Sequence, residues 1–84
     1  MDILNSSVLG NCHKIFPELT KWQLEIIILF SSGLSQGEIA KLKQISKQAV
    51  SKALNEGKKI YHLDNVESIR YVFIARRLVF ISLV

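Results

Sequence analysis

A small all-α domain is what this sequence predicts, on three observations. The chain has 84 residues, 49% of them hydrophobic, which suits a single core and argues against disorder. Its only proline, Pro17, lies ahead of the first clear helical pattern, so none interrupts the periodicity downstream. Helix-start residues then recur ahead of apolar periodic stretches, at Thr20, Ser35 and Ser46.

Each element follows from local chemistry. Thr20 and Gln23 make a capping box, with Leu19 and Leu24 placed as a hydrophobic staple. Trp22, Ile26, Leu29 and Phe30 then share one face of a helix that stops at Gly33. Ser35 with Glu38 repeats the box, with Leu34 and Ile39 as the staple, and opens a short helix over 36–43. Ser46 caps a third helix, in which Val50, Ala53, Leu54 and Gly57 form an inward stripe. Asp64 or Asn65 caps a fourth, beginning near Val66 and running through Ile69, Val72, Phe73, Arg76, Arg77 and Phe80. This last element reads as a long apolar C-terminal helix. Residues 1–17 have no strong period and are expected to be an arm or a short helix, with Ile3, Leu4 and Val8 near the core. The whole, 1–84, reads as one domain, with 19–60 as its centre and 64–84 as its closing helix.

The charge is unevenly placed. Net charge is +4, and residues 35–60 carry six lysines (41, 43, 47, 52, 58 and 59) against Glu38 and Glu56. Elsewhere Lys14, Lys21, Arg70, Arg76 and Arg77 are balanced by five carboxylates. The entire excess therefore lies in one segment, which points to a polyanionic partner. Other classes find less support. Cys12 is the only cysteine, so no intrachain disulfide is possible and a reducing cytoplasm is expected. Cys12 and His13, with His62 the only other soft ligand, do not make a metal site, and no cofactor is expected. No Gly-rich phosphate loop or nucleophile–base set suggests catalysis. The start, MDILNSSVLG, lacks the basic and long apolar regions of a secretory leader. Residues 71–84, with Arg76 and Arg77 midway, fall short of the ~20 apolar residues a membrane span needs.

The functional constellation is residues 35–56, SQGEIAKLKQISKQAVSKALNE: two helices joined across Gln44-Ile45-Ser46, the spacing of a helix-turn-helix. Ile39, Ala40, Ile45, Val50 and Leu54 lock the pair, and the small Ala40 and Ala53 allow close approach. The second helix then offers a polar face to a major groove about 12 Å wide. Gln48, Ser51, Lys52 and Asn55 are the candidate base-edge readers. Lys47, Lys58 and Lys59 are placed for phosphates, Lys41 and Lys43 for a second rim, and the helix starts at Ser35 and Ser46 offer free N–H groups.

Leu19-Thr20, Glu25-Ile26, Leu29, Gly33-Leu34-Ser35, Glu38-Ile39-Ala40, Ile45-Ser46 and Ala49-Val50 together resemble the LuxR/GerE-type DNA-binding domain, over residues 19–60 and more weakly to 75. The same run is similar to region 4 of sigma-70-type factors. The resemblance implies a tetrahelical helix-turn-helix fold whose third helix reads DNA, and a fourth helix that often forms the dimer contact. Lys43 stands where that pattern has leucine, with Leu42 one position early, and Ala53 and Gly57 replace its usual His and Ile. Leu54, Gly57 and Lys58-Lys59-Ile60 look more like sigma region 4.

The expectation is thus a sequence-specific, double-stranded DNA-binding transcriptional regulator. Apolar residues on all sides of the last helix point to a homodimer, with Ile69, Val72, Phe73, Leu78 and Phe80 at its interface. The competing expectation is an adaptor that binds RNA polymerase or another regulator through that helix. Two arginines are too few to favour a membrane surface.

Overall fold

Thr20 starts the first helix as its chemistry requires. Its hydroxyl accepts from the Gln23 N–H at 3.1 Å, while the Gln23 Oε1 accepts from the Thr20 N–H at 3.0 Å. In the computed structural model, which describes residue 10 and residues 13–82, every regular element is helical. A helical stretch at 13–15 precedes α1 (Lys21–Ser31), α2 (Gln36–Lys43), α3 (Lys47–Ile60) and α4 (Ser68–Ser82). Ser35 and Glu38 exchange the same pair of bonds at the head of α2. The Ser46 hydroxyl accepts from the Ala49 N–H at the head of α3. Asn65, not Asp64, serves α4: its Oδ1 accepts from both the N–H and the hydroxyl of Ser68.

The helix ends are as uniform as the starts. Gly33, Gln44 and His62 stand at the ends of α1, α2 and α3 in left-handed or positive-φ conformation, at φ 109°, 56° and 55°. At each, two backbone N–H groups turn back on the last helical turn: Gly33 to Phe30 and Leu34 to Leu29, Gln44 to Lys41 and Ile45 to Ala40, His62 to Lys59 and Leu63 to Lys58. This is the Schellman arrangement, and the apolar residue after each turn, Leu34, Ile45 or Leu63, packs on the core. Only the glycine stop was expected. Gln44 and His62 are stops held by the buried contact of the apolar residue next in the chain.

α1 is the centre. It packs against all three other helices, and α3 packs against α2 and α4. Leu24 and the five consecutive residues 26–30 are all buried, so the helix is covered on every side below its first turn. This replaces the single face expected from Trp22, Ile26, Leu29 and Phe30. Trp22 is 43% exposed and stands beside the Lys43 ammonium, 6.0 Å from the ring centroid. Gly57 lets α3 approach: a Cβ there would lie 2.9 Å from the Ile27 Cδ1.

α4 is not the long apolar helix expected. It has 15 residues and carries Arg70, Arg76 and Arg77, two of them bound to the rest of the fold. Arg70 donates to the Phe30 and Leu34 carbonyls at 2.7 and 3.1 Å, lies 3.8 Å from the Phe30 ring centroid, and pairs with Glu67. Arg76 pairs with Glu18 and donates to the Ile15 carbonyl. Phe16 stacks on Phe73, centroids 5.2 Å apart, tying the segment before α1 to α4. Of the arm expected over 1–17, Ile3, Leu4 and Val8 lie outside the described residues.

These starts and stops carry two testable consequences. A side chain in the left-handed region costs roughly 1–2 kcal/mol relative to glycine, so Gln44→Gly should raise stability by up to about 1 kcal/mol, read as the urea midpoint by circular dichroism. The second concerns Glu38, whose carboxyl is held below the ordinary range by the backbone N–H and hydroxyl of Ser35. A carboxyl with a depressed folded pKa contributes stability above its unfolded value, and that contribution is lost as pH falls through the folded one. Melting temperature should therefore drop at the acid end, and Glu38→Gln, which keeps a capping acceptor, should flatten that drop.

Candidate nucleic-acid interface

α3 has one buried edge and one open face. Val50, Ala53, Leu54 and Gly57 are buried along the edge. At about 100° per residue, Gln48, Lys52, Asn55 and Lys59 then fall on the opposite side, with Lys47, Ser51 and Lys58 on one flank. Lys47, Gln48, Lys52 and Lys59 are exposed, and Ser51, Asn55 and Lys58 are half-buried. All seven residues expected to meet DNA thus share one surface.

The flank bearing Lys47 and Ser51 looks toward the start of α2. An open hollow of about 230 Å³ there is lined by Gln36, Lys47, Gln48 and Ser51. A larger one, about 690 Å³, has Ser35, Gln36, Gly37 and Lys47 among its lining, with Glu67 and Arg70. The N-termini of α2 and α3 therefore open on adjoining surface. Gln36 borders both hollows and was not among the expected site residues. Its position at the first turn after Ser35 was the available signal.

Pairing separates the cations by role. Among the described residues the ion pairs are Lys43 with Glu25, Glu67 with Arg70 and Glu18 with Arg76. None involves a lysine of α3. Lys43, expected on a second phosphate rim, is instead half-buried against α1; with Leu42 at 59% exposure, the swapped order of these two residues puts the lysine where it meets Glu25. Lys41 remains exposed on α2. Asn55 is restrained: its Nδ2 donates to the Ser51 carbonyl at 2.9 Å and the Ser51 Oγ at 3.3 Å. No such bond holds Gln48, Lys47 or Lys52 among the described residues.

The expected dimer residues divide. Ile69 and Phe73 belong to the core, where Phe73 stacks on Phe16, and so are not on a surface a partner can reach. Val72 is half-buried and Leu78 is 61% exposed; the Phe80 side chain lies outside the described residues. The exposed apolar residues of α4 are instead Tyr71, Ile74, Leu78 and Val79, the first three at i, i+3 and i+7 on the side away from Ile69 and Phe73. His13 is half-buried and donates from Nε2 to the Leu19 carbonyl at 2.7 Å. Cys12 lies outside the described residues, among which no three His, Cys, Asp or Glu side chains gather. No helix among them is long and apolar enough to cross a membrane. No protein-family model, curated protein or solved structure matches the chain, so neither resemblance seen in the sequence gains support from those comparisons.

Proposed function

We propose that this protein is a helix-turn-helix transcriptional regulator that binds double-stranded DNA sequence-specifically, with α3 in the major groove. One observation carries this reading: the open face of α3 gathers Lys47, Lys52, Lys58 and Lys59 without a carboxylate partner among the described residues, around Gln48, Ser51 and Asn55. Lysines left unpaired on the rim are suited to phosphates, and amide and hydroxyl groups between them to base edges. The adjoining N-termini of α2 and α3 suit the same polyanion.

The proposed assembly is a homodimer through Tyr71, Ile74, Leu78 and Val79, which would present two copies of α3 to half-sites about 34 Å apart. The same exposed residues favour a second reading, an adaptor that docks on RNA polymerase or another regulator through α4. Salt separates the two. DNA binding by the dimer, through four lysines on each of two copies of α3, should weaken with a log–log slope of roughly −7, whereas an apolar contact through α4 should change little.

Lys52→Ala and Gln48→Ala should each weaken binding to a selected duplex by about 1–3 kcal/mol with an unchanged circular dichroism spectrum. Wild-type affinity in both variants would remove α3 as the reading element. Ile74→Glu should halve the mass measured by sedimentation; a wild-type chain already monomeric at binding concentrations would count against the dimer.

A further inference from the structure

Asn55 differs from the other polar residues on the open face of α3 in one respect: its side chain is committed within its own helix. The Nδ2 donates to the Ser51 carbonyl and to the Ser51 hydroxyl oxygen. A backbone carbonyl only accepts, so chemistry fixes the orientation of this amide, nitrogen inward and Oδ1 away from Ser51. No donor meets the Oδ1 among the described residues. An unrestrained asparagine can pair with adenine through both atoms, accepting from N6 and donating to N7. Here the two N–H groups of the amide already have two acceptors on Ser51, and the side chain offers an acceptor alone.

Resting on the DNA reading above, we infer that Asn55 is a specificity-determining residue that selects an exocyclic amino group, adenine N6 or cytosine N4, at the base it faces. In the major groove guanine and thymine present only acceptors, apart from the thymine methyl group. Either would set acceptor against acceptor and leave both unpaired in a desolvated interface. Ser51 is the positioning residue: it holds the amide nitrogen and so decides which atom meets the base. Gln48, exposed and unrestrained, keeps both its donor and its acceptor for a different base pair.

The test is selection from random duplexes by the full 84-residue chain, wild type beside Asn55→Ala and Asn55→Asp. Wild type should show one position in each half-site where adenine and cytosine are each enriched about fivefold over guanine and thymine. Asn55→Ala should flatten that position alone. Asn55→Asp keeps an acceptor and has no donor, so it should retain the adenine-or-cytosine preference even as its added negative charge lowers affinity. Circular dichroism confirms that each variant is folded. Selection of adenine alone by wild type, lost in Asn55→Asp, means the amide is released to read adenine through both atoms and overturns the inference. So does selection of guanine or thymine there, or an Asn55→Ala profile identical to wild type. Failure of wild type to retain any duplex at low salt overturns the DNA reading itself, and this inference with it.

Discussion

The structure depends on the need to cover α1. Five consecutive apolar residues, 26–30, point in every direction around a helix, and each is worth about 1.5–3 kcal/mol when fully buried. No single neighbour can cover them, so α3 and α4 take different sides and α2 closes a third against α3. This fixes α3 along one edge only, through Val50, Ala53, Leu54 and Gly57. Among the described residues no element covers the opposite side, where Gln48, Lys52 and Lys59 are exposed. The open face is thus a consequence of how α1 is buried, and any residues placed there are available to water or to a partner.

The cations then divide by their chemistry. Arg70 and Arg76 lie against aromatic rings and backbone carbonyls, a setting that suits a planar guanidinium with several donors. Arg70 also supplies what α1 lacks, a positive group at its C-terminal end, where α1 has no basic residue in its own last turn. Lysines occupy the open face of α3, where a hydrated, flexible ammonium stays in water at little cost to the fold. Net charge alone does not reveal this division. With Arg70, Arg76 and Lys43 paired, α3 carries four of the eight remaining cations, against four of the eleven in the whole sequence.

Much of the fold was legible because its signals are local. Thr20, Ser35 and Ser46 act as caps, the turn falls at 44–46, and the buried stripe of α3 comprises the expected four residues. Apart from two helix stops, the failures are questions of which neighbour lies opposite. Trp22 shares a helical face with Ile26 by periodicity, yet in the first turn of α1 it is exposed and stands beside Lys43. Ile69 and Phe73 look like interface residues in a helix apolar all round, but Phe16, far away in sequence, claims Phe73. The stops at Gln44 and His62 were missed because neither position carries a glycine. Their signal was the apolar residue immediately after each, Ile45 and Leu63. Lys43 and Glu25 are 18 residues apart, and no local pattern pairs them.

The residues that give the sequence its LuxR/GerE-like appearance all have structural work in this chain. Thr20, Ser35, Glu38 and Ser46 start helices, Gly33 ends one, Glu25 holds Lys43, and Leu19, Ile26, Leu29, Ile39 and Val50 are buried. A chain that must begin and end three short helices around a covered α1 would favour these residue types whatever it binds. The motif accordingly explains the scaffold, and Lys47, Gln48, Ser51, Lys52 and Asn55 fall in or beyond its unspecified positions. Specificity in such an arrangement is decided by side chains that the fold does not constrain, or, at Asn55, by one that its own helix does. That separation lets the open face change with little effect on stability, and under the proposed function it makes the hydrogen-bonding state of each exposed side chain the quantity that decides what α3 reads.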